Sequence, residues 1–330
     1  MSNFLAVAIA IFLDRLFGEL TIYHPIKGFA RLATYIEDHW HRQENITRHS
    51  PATPDSPEPD KPADGSNRAI ETMIKIQGAL AAALLILPFV ALAGILSQTL
   101  PTPLDFVFNV LVLYLAIGAH SLKQHAIDVQ NALVSDNIEL ARKHIAALVN
   151  RDVQHLDRQE ITSTTIESVL ENGSESILAP IFWFLVFGAP GAVLYRLVHT
   201  LHTMWGYQSS HYKNFGMAVA RVNNILNWIP ARLTAFSYMI LADMKNGWRC
   251  FNEQAKTWNS PNVELTVATG AGALNLEVGG DIYYQGELKK RPKLGTGKIP
   301  DLSDISRSCD LVERSMILWL AFILVVSLGH

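Results

Sequence analysis

The groups best placed to do chemistry lie between Glu167 and Arg232. Glu167, Glu171 and Glu175 recur every four residues, with Asn172 among them, so one helix face presents three carboxylates. Like charges at that spacing repel unless a cation sits between them. Such a face either stays solvated or gathers a divalent metal or the amine of a substrate. The stretch that follows is dense in polar and aromatic residues between apolar flanks: His199, His202, Trp205, Tyr207, His211, Tyr212, Lys213, Arg221, Asn223 and Asn224. Its aromatic members would serve as anchors at a membrane interface. Lys213, Arg221 and Arg232 suit recognition of phosphate or carboxylate, the guanidinium groups by paired hydrogen bonds, or equally contact with lipid headgroups.

Common reaction signatures are missing. Gly295-Thr-Gly-Lys298 lacks the earlier glycine of a phosphate-binding loop and is followed by Ile299 rather than Ser or Thr. There is no His-Glu-x-x-His, no nucleophile elbow and no Cys-x-x-Cys. The two cysteines, Cys250 and Cys309, fit neither a metal nor a redox spacing. A net charge of -3 without a basic, aromatic-laced patch excludes nucleic acid as a partner.

The elements that must position these groups are membrane helices. Of 330 residues, 49% are hydrophobic and only 17% charged, against roughly 25% charged in soluble domains. The run from Ile76 to Leu96 is almost free of polar side chains and has the length a helix needs to cross hydrocarbon. Further runs cover Leu104 to Ala119 (with Asp105 near its start), Ile177 to Val198, a weaker Ile225 to Leu241, and Met316 to Leu328. The run from Phe4 to Phe17 is short and contains Asp14-Arg15; it reads as a short or tilted helix rather than a cleaved signal, because it lacks a basic leader. Gly188-Ala-Pro-Gly191 breaks the 177–198 run and leaves a re-entrant hairpin open. Lys and Arg concentrate in 18–75, 120–176 and 242–314, which places these segments in the cytoplasm and the chain, multi-pass, in the inner (cytoplasmic) membrane.

Between the runs, residues 44–69 read as a disordered insertion rich in proline and charge. Asp136 with Glu139 gives a capping-box start to a helix through Ile138, Ala141 and Ile145. A second helix is expected over Gln159 to Asn172, and Gly-rich loops around Gly270, Gly272, Gly279-Gly280 and Gly286. The fold expected is an all-α integral membrane protein, a single domain over residues 1–330. It has about five transmembrane helices with helical and Gly-rich cytoplasmic segments.

Many short ordered matches make the chain similar to the CobD/CbiB family, the adenosylcobinamide-phosphate synthases of cobalamin biosynthesis. They include Leu13-Asp14, His24-Pro25, Arg151-Asp152, Glu167, Glu171-Asn172, Ala179-Pro180, Gly206-Tyr207, Ala220-Arg221 and Pro230-Ala-Arg-Leu233. Later come Ser260-Pro-Asn262, Gly279-Gly280, Tyr283-Tyr-x-Gly-Glu287, Arg291-Pro292 and Asp304-Ile-x-Arg307. The resemblance implies an ATP-dependent ligase that joins adenosylcobyric acid to an amino-alcohol phosphate, 1-aminopropan-2-ol phosphate or ethanolamine phosphate, through an amide bond. ATP and Mg2+ are implied, with the lipid bilayer and other membrane-associated enzymes of the pathway as partners. Carried onto these positions, Glu167, Glu171, Asn172 and Glu175 form the catalytic group, with Glu171 and Glu175 as metal ligands. Substrate binding falls to His202, Tyr207, Lys213, Arg221, Arg232, Asn262, Tyr284, Glu287 and Arg291, and the loops from Ser260 to Gly286 close over the substrate.

The family's usual pattern is altered at several places. His199 and His202 stand where Asn and Asp are usual, Asn223-Asn224 where two Asp are usual, and Val267 where an acid is usual. These replacements keep two rivals in view: a non-catalytic scaffold or regulatory paralogue, and, further off, a transporter.

Overall fold

The computed structural model describes residues 2–18, 25–48, 64–149, 151–206, 214–254, 261–284 and 287–329. In chain order its helices are α1 (Ser2–Phe17), α2 (Pro25–Arg48), α3 (Asp64–Thr99), α4 (Thr102–Ala116), α5 (Ala119–Val134), α6 (Ile138–Ile145) and α7 (Arg158–Asn172). A π-helical turn, Gly173–Leu178, leads into α8 (Ala179–Trp205), α9 (Met217–Leu241), α10 (Met244–Gln254) and α11 (Pro261–Ala273). Four short strands follow, β1 (Glu277–Gly279), β2 (Ile282–Tyr284), β3 (Glu287–Lys289) and β4 (Lys293–Gly295), and then α12 (Leu302–Leu328). Antiparallel β2 and β3 pair with each other, Ile282 opposite Lys289, and β1 pairs antiparallel with β4 in a register that sets Glu277 opposite Gly295 and Gly279 opposite Lys293. Among the described residues the fold is all-α apart from these two strand pairs.

Among the described residues, four helical stretches are long and apolar enough to cross a membrane: Ile70–Thr99, Thr102–Val134, Arg158–Trp205 and Leu302–Leu328. That corrects the expected five. The weak run from Ile225 to Leu241 lies in α9, where Asn223, Asn227, Thr234 and Ser237 are turned inward and buried, and these dilute its hydropathy. Helix α1 has 16 residues and measures about 24 Å, short of the ~30 Å hydrocarbon core.

The Arg158–Trp205 stretch is interrupted at Gly188 (φ 67°, ψ -152°), a backbone conformation open in practice only to glycine. The amide freed there does not go unpaired, because Ala189 N donates to Asn109 Oδ1 at 3.2 Å. Asn109 is itself fixed by Nδ2, which donates to the Asp105 carbonyl and carboxylate at 2.8 and 2.9 Å. Asp105, the polar interruption of the apolar α4 run, thus serves the kink.

The chain forms two compact units: residues 1–19, 100–192 and 226–330, and residues 20–99 and 193–225. In the first, Val7, Ala10, Leu113, Ile166, Leu170, Ile305 and Val312 bring α1, α4, α7 and α12 into one core. In the second, a Cβ at Gly78 of α3 would lie 2.0 Å from the Phe215 carbonyl oxygen, and buried Trp205 Nε1 donates to Glu37 Oε2 at 3.0 Å.

Three local expectations change. Gly270 and Gly272 lie within α11 rather than in loops. A Cβ on Gly270 would meet Leu170 at 2.8 Å, and one on Gly272 would meet Cys250 Sγ at 2.5 Å. These glycines therefore let α11 approach α7 and α10, the way small residues work where helices pack in membranes. The cap of α6 is Asn137, whose side chain accepts from Leu140 N, while Asp136 takes φ 55° and accepts from Arg158 instead. Finally, α2 runs on to Arg48 and α3 begins at Asp64, so helix enters both ends of the 44–69 insertion. Residues 49–63 lie outside the described residues.

Candidate functional site

Helix α7 starts with a capping box. Asp157 accepts from Glu160 N, and the Glu160 carboxylate accepts from Asp157 N, each at 2.8 Å. The preceding connector is tied down as well. Val153 and Leu156 are buried with Leu133, Ile145 and Ile161, and the Leu156 carbonyl accepts two N–H groups of Arg142 at 2.9 and 3.2 Å. That anchoring fixes Arg151 beside the first turns of α7.

Glu167, two turns into α7, is buried and fully engaged. Its Oε1 accepts from Gly279 N at 3.1 Å and from Ser163 Oγ at 3.4 Å. Its Oε2 accepts from Arg291 Nη2 at 3.0 Å and lies 3.6 Å from Arg151 Nη2. Gly279 and Gly280 both have positive φ (86° and 101°), which lets the chain turn sharply and aim the Gly279 amide at the carboxylate. Arg291 is held further by donating to the Gly280 carbonyl from Nε and to Asp281 Oδ1 from its backbone N–H. Burial pushes the Arg291 guanidinium below its ordinary pKa and nearby Arg151 adds to this, while Glu167 opposes both. An arginine remains charged regardless.

These groups surround a cleft of ≈ 340 Å³ lined by Arg151, Leu156, Glu160, Ser163, Thr164, Glu167, Gly279, Gly280, Asp281, Arg291 and Lys293. Both charge signs are present: guanidinium groups with Glu167 in the buried part, exposed Glu160 and Asp281 elsewhere on the lining. A site of this kind suits a ligand that is itself both anionic and cationic. A larger concavity, ≈ 650 Å³, lies among Asp243, Asn275, Arg307, Asp310 and Arg314; of the residues picked from the sequence it takes in Arg307 of the Asp304-Ile-x-Arg307 match and none of the candidate site residues.

Farther along α7, Glu171 feels the charges of Glu167, Arg151 and Arg291, and Glu175 feels that of Glu171. The acidic face expected from the spacing is therefore continuous, with cations at one end. Asn172 is spent on its own helix: Nδ2 donates to Ser168 O at 2.9 Å, and Oδ1 accepts from Ser176 Oγ at 3.1 Å. Glu175 lies in the π-helical turn. Gly173 at the head of that turn admits Tyr238, since a Cβ there would lie 2.5 Å from its hydroxyl oxygen. Among the described residues no three His, Cys, Asp or Glu side chains converge on a metal position. A magnesium ion needs fewer, since one or two carboxylates with substrate phosphates suffice. The oxygen donors of Glu171 and Glu175 fit that chemistry.

The remaining sequence candidates are spread out. Arg232 lies 4.1 Å from the Trp228 ring centroid, donates to the Trp228 carbonyl at 2.7 Å and reaches buried Asn262 Oδ1 at 3.5 Å. These two meet each other, and neither lines the cleft. Tyr284 and Glu287 are opposite one another in the backbone register of the β2–β3 pair. His202, near the end of α8, and exposed Arg221, in α9, belong to the second unit. Tyr207 and Lys213 lie outside the described residues. Residues not singled out for the site, Arg151, Ser163, Asp281 and Lys293, line the cleft instead. For Arg151 a signal existed: an arginine in a short connector immediately ahead of the Asp157–Glu160 cap.

A sequence profile described as "CobD/Cbib protein" matches residues 7–312. The chain is 44% identical to "Cobalamin biosynthesis protein CobD" of Chromobacterium violaceum, over 99% of this chain and 98% of that protein. It is 39% identical to the protein of the same name from Stutzerimonas stutzeri, over 98% of each. With that of Mycobacterium tuberculosis it shares 30% identity over 92% of this chain and 88% of the other. No solved structure matches.

Proposed function

The chain belongs to the CobD/CbiB family and has a role in cobalamin biosynthesis, and from that premise we propose that it is the ATP-dependent ligase joining adenosylcobyric acid to an amino-alcohol phosphate, with adenosylcobinamide phosphate as product. The observation that carries this reading is the α7 cleft, where Glu167 is fixed between Arg151 and Arg291 and where Glu160 and Asp281 add carboxylates. An amide-forming site must hold phosphates and receive an amine, and this lining offers guanidinium groups for the first and carboxylates for the second.

A free carboxylate is a poor electrophile. Its oxygen therefore first attacks the γ-phosphorus of ATP, forming an acyl phosphate and releasing ADP. The amine then attacks the acyl carbon, loses a proton and expels inorganic phosphate. Arg151 and Arg291 offset the negative charge of bound phosphate, and the Gly279 turn keeps Glu167 from swinging out of their reach. Glu171 and Glu175 would hold Mg2+, which supplies charge neutralisation on the transferred phosphoryl group. Glu167 acts as a positioning residue, because both of its oxygens are already occupied.

The same reading places the protein in the inner membrane with the cleft on the cytoplasmic side. The concentration of Lys and Arg around residues 120–176 and 242–314 supports that orientation. The test is incubation of the detergent-solubilised protein with adenosylcobyric acid, 1-aminopropan-2-ol phosphate or ethanolamine phosphate, ATP and magnesium, with mass spectrometry of the products. Adenosylcobinamide phosphate, or its ethanolamine counterpart, is the expected outcome. Its absence, beside an active relative assayed in parallel, removes the ligase reading and leaves a non-catalytic member of the family.

A further inference from the structure

The ≈ 650 Å³ concavity is built within the first unit, from the end of α9, the start of α10, the end of α11 and one face of α12. Its charged lining residues are Asp243, Arg307, Asp310 and Arg314. Two of them are committed. Asp243 accepts from Asn246 N and Nδ2 at 3.0 and 3.1 Å and from Asn275 Nδ2 at 3.4 Å. Arg307 pairs with buried Asp304 and donates to the Leu274 carbonyl at 3.2 Å. The other two, exposed Asp310 and Arg314, make no hydrogen bond or ion pair with a described residue. They do not pair with each other either, although an acid four residues ahead of a base on a helix is spaced to do so. Glu313, between them in sequence, is taken by Lys123 of α5 at 2.9 Å.

The concavity stands where α12 changes solvent. Arg307, Leu311, Arg314, Leu318, Ala321 and Val325 follow at alternating intervals of four and three residues, which puts them on one face of the helix. The first three line the concavity, and the last two are exposed within the apolar run. Trp319 Nε1 donates to Ser237 Oγ of α9 at 3.0 Å, so the helix whose end walls the concavity accompanies α12 into that run. Met244, on the lining, is exposed, and so is Trp248 one turn further along α10. Such a tryptophan suits the headgroup level of a bilayer.

A water-soluble ligand would use only the polar end of this face, whereas a lipid uses all of it. We propose that the concavity seats the headgroup of a phospholipid that carries a primary ammonium beyond its phosphate, as phosphatidylethanolamine does. The phosphate lies on Arg314, the ammonium on Asp310, and an acyl chain along Leu318, Ala321 and Val325. The order along the helix agrees: Arg314 is one turn nearer the apolar run, and in such a lipid the phosphate lies between the ammonium and the chains. Charge selects the class. Once Arg307 and Asp243 are accounted for, one cation and one carboxylate remain, which a zwitterionic headgroup satisfies together. A site for anionic lipid would instead cluster Lys and Arg. None of this depends on the ligase reading.

The test is native mass spectrometry of the full chain, released from detergent micelles that contain equal amounts of phosphatidylethanolamine, phosphatidylcholine and phosphatidylglycerol. The wild type is expected to retain phosphatidylethanolamine several-fold over the other two, because the methylated ammonium of phosphatidylcholine has no N–H to donate to Asp310. Arg314→Gln should lower retention of all three lipids several-fold. Asp310→Asn, at an exposed position where folding is little at risk, should bring phosphatidylethanolamine down to the level of phosphatidylcholine and spare phosphatidylglycerol. Equal retention of the three lipids by the wild type would mean ordinary bilayer contact and overturn the proposal. A preference for phosphatidylglycerol, or phosphatidylethanolamine retention indifferent to either substitution, would do the same. So would displacement of the bound lipid by inorganic phosphate, which would make the concavity a site for a soluble anion.

Discussion

At the scale of single residues, the site is governed by one buried carboxylate and the two cations that approach the same one of its oxygens. Glu167 has 8% of its side chain exposed, and both oxygens have partners. Replacing it by Gln removes the charge while keeping the shape. Arg151 and Arg291 would then face each other with no counter-charge on Glu167's position. Breaking a buried pair from one side costs about 3–5 kcal/mol, whereas removing both partners is often nearly neutral. Glu167→Gln should therefore lower the unfolding temperature in detergent markedly, and the double variant Glu167→Gln, Arg291→Gln should recover part of the loss. A Glu167→Gln protein that melts with the wild type would show that the ion pair does not hold the cleft together. The sequence made Glu167 visible through its spacing from Glu171 and Glu175. It could not show Glu167's partners, because Arg151 and Arg291 are 16 and 124 residues away and are brought to it by the connector and the strand pairs.

At the scale of elements, end signals were more legible than glycines. The expected helix from Gln159 to Asn172 begins at Arg158, one residue early, because Asp157 and Glu160 cap each other. The cap of α6 was misplaced by one residue, since Asp136 and Asn137 both qualify by type and only the backbone turn at Asp136 decides between them. Gly270 and Gly272 read as loop residues because a sequence does not reveal which glycines face a neighbouring helix. Caps also carry a testable pH dependence. At the head of α12, Asp301 accepts from Ser303 N at 2.9 Å and pairs with Lys298 at 2.5 Å. Chiefly through Lys298, its pKa is held down at about 2. The folded value lies below the ordinary one near 3.9, so the contribution is complete above that value and is lost as pH falls through about 2. The unfolding temperature should decline between pH 4 and 2 more steeply in the wild type than in Asp301→Asn, which keeps the cap but not the charge. Parallel declines would count against a role for this carboxylate.

At the scale of the whole molecule, the solvent is the question. Composition already pointed to a bilayer, and α3 shows what that demands. Along one helix, Met73, Ile76, Leu80, Leu84, Leu87, Leu92 and Ile95 are all more than half exposed. In water such a surface would drive aggregation; in lipid it is the expected exterior, and the polar backbone stays paired within the helix. The count of spans was less legible than their existence, because α9 hides its polar residues inward and a hydropathy average cannot tell inward from outward. A single substitution separates the two solvents. Leu84 lies midway along the apolar Ile70–Thr99 stretch and is 59% exposed. An exposed Leu→Arg change on a soluble helix shifts stability by no more than about 0.5 kcal/mol. At the centre of a transmembrane helix, arginine costs about 2.5–3.5 kcal/mol of insertion free energy. Leu84→Arg is therefore expected to reduce membrane insertion of α3 severalfold, read by glycosylation mapping of sites placed on either side of the helix. Leu84→Ala at the same position should insert normally. Equal insertion of both variants would mean that this face of α3 meets water or protein, and the bilayer would have to be sought along the other apolar stretches.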